Sequence, residues 1–189
     1  MRFRRRLAEI AGEPAVTPEN PLQHLANKYD KLFDARNKQQ RGYELQDLLN
    51  EAFKLSGIQT TRSFTRNEGA EQIDGAFKFE GWHYLVECRW RKRLANIRDL
   101  DGLLGQVVRS SKQTMGLFVS IKAWSDNVPR LLKENPPKCI ILMDGDDLGA
   151  VLRGTVSLRE LIDKKSEALG LKGEPFYAAS QYLADRTTA

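Results

Sequence analysis

The sequence predicts a mixed α/β (α+β) fold, and three observations carry that prediction. Residues 72–79 and 82–90 alternate apolar and polar side chains with the two-residue period of strands. Residues 43–55 and 96–113 space their apolar side chains three and four apart, as helices do. The elements follow one another as helix, strand, hairpin, helix, strand, so neither type is segregated to one half of the chain.

Residues 1–17 read as irregular, broken by Gly12 and Pro14, and carry a basic cluster at Arg2, Arg4, Arg5 and Arg6. Pro21 opens a helix that extends to about residue 40, with Leu22, Leu25, Tyr29, Leu32 and Phe33 as its apolar stripe. That stripe fits packing on the core or on a second subunit. Arg41-Gly42 is expected to break or bend this helix. A second helix over residues 43–55 buries Leu45, Leu48, Leu49, Ala52 and Phe53 and sets Glu44 at the edge of its buried face. Gly57 stops it. Residues 58–66 form the first strand, with Arg62 and Arg66 as basic positions, and Asn67-Glu68-Gly69 is a loop.

The next two strands form a hairpin around Glu80-Gly81, a two-residue turn containing a glycine. Ile73, Phe77 and Phe79 are expected on one face of its first strand, and Tyr84, Val86, Cys88 and Trp90 on one face of its second. If Phe79 faces Trp82, then Lys78 faces His83, Asp74 faces Glu87 and Gln72 faces Arg89. Opposed residues share a face, about 5 Å apart at Cβ, and two carboxylates so placed repel. A divalent cation relieves that repulsion, because hard cations such as Mg²⁺ take carboxylate oxygens. A second reading stays open on these residues alone: Asp74 before Gly75 fits turn chemistry, and Glu87 fits pairing with a nearby arginine.

A helix over residues 96–113 carries Ile97, Leu100, Leu104, Val107 and Val108 as its stripe. Gly102 and Gly105 each cost about 1 kcal/mol relative to alanine, which points to close packing. Gln106, Arg109 and Lys112 recur on another face, facing phosphates or solvent. A strand at 117–122 and a short helix after Ser125 follow, and Pro136-Pro137 ends that helix. Another strand covers 138–143. Asp144-Gly145-Asp146-Asp147 lacks the spacing of a calcium loop and reads as strand end, turn and helix start. A helix over 147–153 is followed by one that Ser157 caps, running to residue 169 with Gly170 as its stop; 171–189 receives no assignment.

The chain's 189 residues suit one decorated domain, and 41% hydrophobic with 29% charged residues allow both a core and a polar surface. A net charge of +5 and a pI near 9.2 permit nucleic-acid binding. The run Arg89, Arg91, Lys92 and Arg93 fits such a surface or an ordinary solvated one. No apolar run approaches the ~20 residues of a membrane span. The basic N-terminus lacks a signal-peptide core, so the expectation is cytoplasmic, without membrane. Cys88 and Cys139 are read as reduced core residues, and two histidines are too few for a histidine-based centre.

With these elements in order, the chain resembles the PD-(D/E)xK nuclease superfamily, the restriction endonuclease-like fold. The resemblance spans about residues 41–154 and is carried by EQIDGAFKFEGWHYLVE (71–87), GLFVSI (116–121) and ILMDGDDL (141–148). Val156-Ser157-Leu158 and the N-terminal helix match with less specificity. It implies a central mixed β-sheet flanked by helices, with an added N-terminal helix. Three segments follow: 1–40, a basic segment and helix; 41–154, the nuclease core; and 155–189, a C-terminal helical extension.

Residue by residue, the resemblance implies that Asp74 is the metal-binding motif aspartate and Glu87 the acidic residue of the (D/E)xK element. Glu44 matches the helix glutamate that helps hold the metal. It implies Mg²⁺, with Mn²⁺ as a substitute, activating water for phosphodiester hydrolysis in DNA. The departure is Glu87-Cys88-Arg89, where the family usually has lysine third. Arginine stays protonated and cannot be a general base, but it can contact a phosphate. Arg89 is therefore expected at the scissile phosphate, with Arg66, Lys78, Arg91, Lys92 and Arg93 as further nucleic-acid contacts. The competing reading is a catalytically lapsed binding or scaffolding domain on the same fold; a third is a self-associating structural protein. A homodimer is expected by analogy, because cutting two strands often uses two sites.

Overall fold

A computed structural model describes residues 20–66, 71–134 and 136–188. The expectations for residues 1–17 and for the Asn67–Gly69 loop lie outside these residues. Seven helices and five strands are described: α1 (Pro21–Leu32), α2 (Lys38–Leu55), β1 (Thr60–Arg66), β2 (Glu71–Phe79), β3 (Trp82–Arg89), α3 (Asp101–Val108), β4 (Thr114–Ser120), α4 (Asn127–Glu134), β5 (Ile140–Asp144), α5 (Gly145–Leu152), α6 (Leu158–Lys172) and α7 (Ala179–Thr188).

The strands form one mixed sheet in the order β1-β2-β3-β4-β5. β1, β2 and β3 pair antiparallel, and β3, β4 and β5 pair parallel. Parallel neighbours need a crossover; α3 and α4 supply the two crossovers and bury Leu103, Val107, Val128 and Leu132 against one face of the sheet. The other face is covered by α1, α2, α5, α6 and α7 through a larger core that includes Tyr29, Leu48, Phe53, Leu161 and Tyr182. None of the described helices is long and apolar enough to cross a membrane.

Local chemistry sets the boundaries. Glu80 (φ 45°) and Gly81 (φ 82°) both take positive φ, as a type I′ hairpin turn requires, and the register runs from Phe79↔Trp82 to Gly75↔Val86. α1 ends at Leu32, well short of the expected residue 40, and α2 starts at Lys38, earlier than expected, and passes through Gly42 unbroken. The Asn37 side chain caps it by accepting from the Gln39 and Gln40 N–H groups at 3.1 and 3.2 Å. The 96–113 helix contracts to a 3₁₀ turn at Ile97–Asp99 followed by α3. Asp99 is held there by the Asn96 N–H and by two arginines, so the chain turns before the α-helix begins.

α6 runs through Gly170 and ends instead at Gly173 (φ 67°), whose N–H donates to Leu169 O while Glu174 N–H donates to Ala168 O. α7 had no expectation. One further correction concerns β2: Phe77 packs in the α2-side core, whereas Ile73 packs in the α3-side core with Leu85 and Phe118. The inward face of the strand changes sides at Asp74-Gly75.

Candidate active site

That change of sides gives Asp74 its position. The hairpin register stops at Gly75↔Val86, one residue short of Asp74 and Glu87. Instead of a ladder bond there, the Asp74 carboxylate accepts from the Cys88 N–H (Oδ2, 3.2 Å). The end of β3 then presents Glu87, the Cys88 backbone and Arg89 in succession, beside α3. Gly102 of α3 leaves room over the Glu87 carboxylate: a Cβ there would sit 3.8 Å from its Oε2. Asp74 and Glu87 face a cleft of about 290 Å³ whose walls also carry Arg89, Arg91, Arg98 and Gln106.

The Asp74 and Glu87 side chains are only 19% and 9% exposed. Burial pushes the Glu87 carboxyl above the ordinary carboxylate range and Asp74 adds to the push, while the Arg89 guanidinium pulls the other way. Arg89 Nη2 pairs with Glu87 Oε1, and Nη1 donates to Cys88 O at 3.0 Å and lies 3.5 Å from Asp74 Oδ2. Its Nε is buried without a hydrogen-bond partner. Three oxygens from three residues therefore converge on one guanidinium.

The other expected site residues are spread around this centre. Glu44 is not among the residues lining the cleft; its Oε1 accepts from Gln40 Nε2 at 2.8 Å. Gln46 and Asn50 of α2 line a small recess with Asp74 and Cys88 on the opposite side of the sheet edge. Among the described residues no three His, Cys, Asp or Glu side chains are grouped so as to hold a metal ion. The carboxylates lining the cleft are those of Asp74, Glu87 and Asp99, and Arg89 reaches from the cleft to the Cys88 carbonyl beside it.

Arg91 and Arg93 pair with Asp99 at 2.5 and 2.6 Å, and the Arg93 guanidinium holds the Asp99 carboxyl down at about 2. Lys92 is exposed. Arg66 is engaged inside the fold, donating to Glu71 Oε2 (2.5 Å), Ser110 Oγ (2.8 Å) and Gln106 O (2.7 Å). Lys78 opens onto a separate depression of about 640 Å³ with Lys54 and His83. Cys88 and Cys139 are free, and burial pushes both thiols up, so neither is a poised thiolate. Arg98 and Asp99 line the cleft without having been singled out in the sequence. The signal for them was Asn96-x-x-Asp99, an acidic residue three after an Asn, which turns the chain back over the preceding basic run.

The sequence matches no protein-family model and no curated protein at a significant level. Solved structures do match. The small subunit of the heterodimeric restriction endonuclease R.BspD6I aligns with a TM-score of 0.50 at 17% identity, over 78% of this chain and 88% of that one. The DNA modification-dependent restriction endonuclease AspBHI aligns with a TM-score of 0.46 at 12% identity, over 82% of this chain and 41% of that one. A type III CRISPR defence DNA nuclease activated by cyclic oligoadenylate aligns with a TM-score of 0.45 at 19% identity, over 86% of this chain and 28% of that one. Given its strand order and its likeness to the R.BspD6I small subunit, the chain has a restriction endonuclease-like fold.

Proposed function

We propose that this chain is a metal-dependent endonuclease that hydrolyses phosphodiester bonds in DNA. The observation that carries the reading is that Asp74 and Glu87, two poorly solvated carboxylates, face one cleft walled by arginines and are bridged there by the Arg89 guanidinium, which also reaches Cys88 O. The donor set fits a hard divalent cation, since it is all oxygen and carries two carboxylates in a poorly solvated place. Asp74 and Glu87 would hold Mg²⁺, or Mn²⁺ in its place. Such an ion activates water and offsets the charge that develops on the phosphodiester.

Arg89 stays protonated, so its role is to bind a phosphate oxygen rather than to take a proton. Arg91, Lys92 and Arg93 continue the positive surface along the strand backbone. The likeness in fold to a subunit of a restriction endonuclease supports DNA as the substrate. A second copy of the chain, cutting the opposite strand, is part of the proposal, and sedimentation at several concentrations tests it.

The test is cleavage of supercoiled plasmid with Mg²⁺, Mn²⁺ or chelator. Metal-dependent nicking that both Asp74→Ala and Glu87→Ala abolish is the expected result. One observation favours a second reading, a nucleic-acid-binding domain without turnover: arginine stands at position 89, and its guanidinium lies between the carboxylates. A silent wild type that gains cleavage on Arg89→Lys would favour that reading.

A further inference from the structure

The Arg89 guanidinium contacts oxygens of three residues, two of them the cleft carboxylates of Asp74 and Glu87. Nη1 reaches the Cys88 carbonyl at 3.0 Å and approaches Asp74 Oδ2 at 3.5 Å, and Nη2 pairs with Glu87 Oε1. Inner-sphere oxygens lie only about 2.0–2.1 Å from Mg²⁺. A guanidinium that contacts the same oxygens fills that volume, so the two cations exclude each other. Burial of Glu87 makes a counter-cation there more valuable, because the carboxylate has little water to stabilise its charge.

These contacts leave one Arg89 donor unused. Its Nε is buried without a partner, and its side chain is 32% exposed on the cleft side. A phosphate oxygen in the cleft would offer the fork what the protein does not, since guanidinium binds phosphate in two-point geometry.

We infer that Arg89 is an internal counter-cation that competes with the divalent ion for Asp74, Glu87 and the Cys88 carbonyl, and so sets the affinity of the site for metal. The inference rests on the metal-dependent reading of this cleft. Metal entry requires the guanidinium to leave the carboxylates, and a bound phosphodiester is its natural destination. Metal and nucleic acid then favour each other's binding, because each removes an obstacle to the other. Lysine at this position would exclude metal less, being a single compact charge without a fork that spans several oxygens.

The test is Mn²⁺ binding without nucleic acid, followed by electron paramagnetic resonance of the free ion. It uses the full chain as wild type, Arg89→Gln, Arg89→Ala and the double variant Asp74→Ala/Arg89→Gln. The Gln variant keeps most of the side-chain length, which guards against a folding defect in the Ala variant. Neutralising one charge within ~4 Å of the site is expected to tighten Mn²⁺ binding about tenfold or more. The double variant is expected to lose that gain.

A wild-type measurement supports the same point. In ¹⁵N-arginine spectra, Mg²⁺ is expected to shift the Arg89 Nε–H signal, identified by its absence in Arg89→Gln. Unchanged or weaker Mn²⁺ binding in both single variants overturns the inference; if the wild type still nicks plasmid, the nuclease reading survives that result. Carboxylate-dependent Mg²⁺ binding that leaves the Arg89 signal unmoved overturns it as well. An absence of carboxylate-dependent metal binding in every variant ends both.

Discussion

Two charged groups in this molecule have similar chemistry and opposite surroundings. Lys165 and Asp147 are 0% and 2% exposed, and their polar atoms are used up. Lys165 Nζ donates to Asp147 Oδ2 at 2.6 Å, Leu142 O at 2.8 Å and Tyr177 O at 2.7 Å, which accounts for all three ammonium protons. Asp147 Oδ1 accepts from Ala179 N–H at 2.6 Å, so the pair ties β5, α5, α6 and the start of α7 together. The Asp74, Glu87 and Arg89 group is also poorly solvated, yet it faces a cleft, leaves Arg89 Nε without a partner and keeps Glu87 above its ordinary range. A completely satisfied buried pair holds elements in place. An open, partly satisfied one retains capacity for a ligand.

The largest expected effect separates the two groups by stability. Lys165→Met leaves Asp147 buried without its cation and should cost roughly 3–5 kcal/mol in urea unfolding. Asp147→Leu together with Lys165→Met should recover much of that loss, because no uncompensated charge then remains. A loss below about 1 kcal/mol for the single variant would show that the Lys165–Asp147 pair does not hold these elements together.

Next comes the converse at the cleft. Asp74→Ala should lower plasmid cleavage roughly 10³-fold, about 4 kcal/mol of transition-state stabilisation, while shifting unfolding by less than ~1 kcal/mol. An unfolding shift as large as that of Lys165→Met would make the cleft a structural knot as well.

A pH series sharpens the contrast further. The raised Glu87 carboxyl means that its ionisation costs the folded state stability. That cost is absent below the ordinary carboxylate range and grows as pH rises through the raised value. Glu87→Gln should therefore match the wild type in stability at low pH and exceed it near neutrality. Asp99 runs the other way: its lowered carboxyl contributes stability above the ordinary range, and this contribution is lost as pH falls toward about 2. Equal pH dependence for the wild type and Glu87→Gln would contradict the burial argument. The smallest expected effect concerns the basic rim. Lys92→Ala should weaken DNA binding modestly and reduce the salt slope by about one unit, as read by fluorescence anisotropy at several salt concentrations.

Much of this arrangement was legible in the chain. The alternation around Glu80-Gly81 predicted the hairpin and its register, because a two-residue turn leaves the strands no other pairing. That register stops at Gly75↔Val86, short of the expected Asp74–Glu87 and Gln72–Arg89 pairs; Asp74 reaches β3 instead through the Cys88 N–H and Arg89. The acidic run at 144–147 has the pattern of a strand end leading into a helix, and Asp144 caps α5 by accepting from Asp147 N–H at 2.8 Å. A central mixed sheet flanked by helices came with the resemblance and holds in the structure.

Other features depend on contacts between distant parts of the chain. Gly170 and Gly173 are one helical turn apart and both suit a helix end; the chain stops at the second, where Gly173 adopts positive φ and the Ala168 and Leu169 carbonyls are capped. Ile73 and Phe77 share a period yet pack in different cores, since the strand changes sides at Asp74-Gly75. α3-side Arg98 and Asp99 reach the cleft only because the 3₁₀ turn folds back over the end of β3. A lysine in a helix ordinarily points to water, and Lys165 is buried because Asp147, eighteen residues earlier, and two carbonyls surround it. Periodicity and turn chemistry are properties of neighbours along the chain, so the sequence alone determined most of the elements and the hairpin with its turn. Which polar groups are satisfied and which stay open depends on atoms brought together from far apart, and only the tertiary structure decided that.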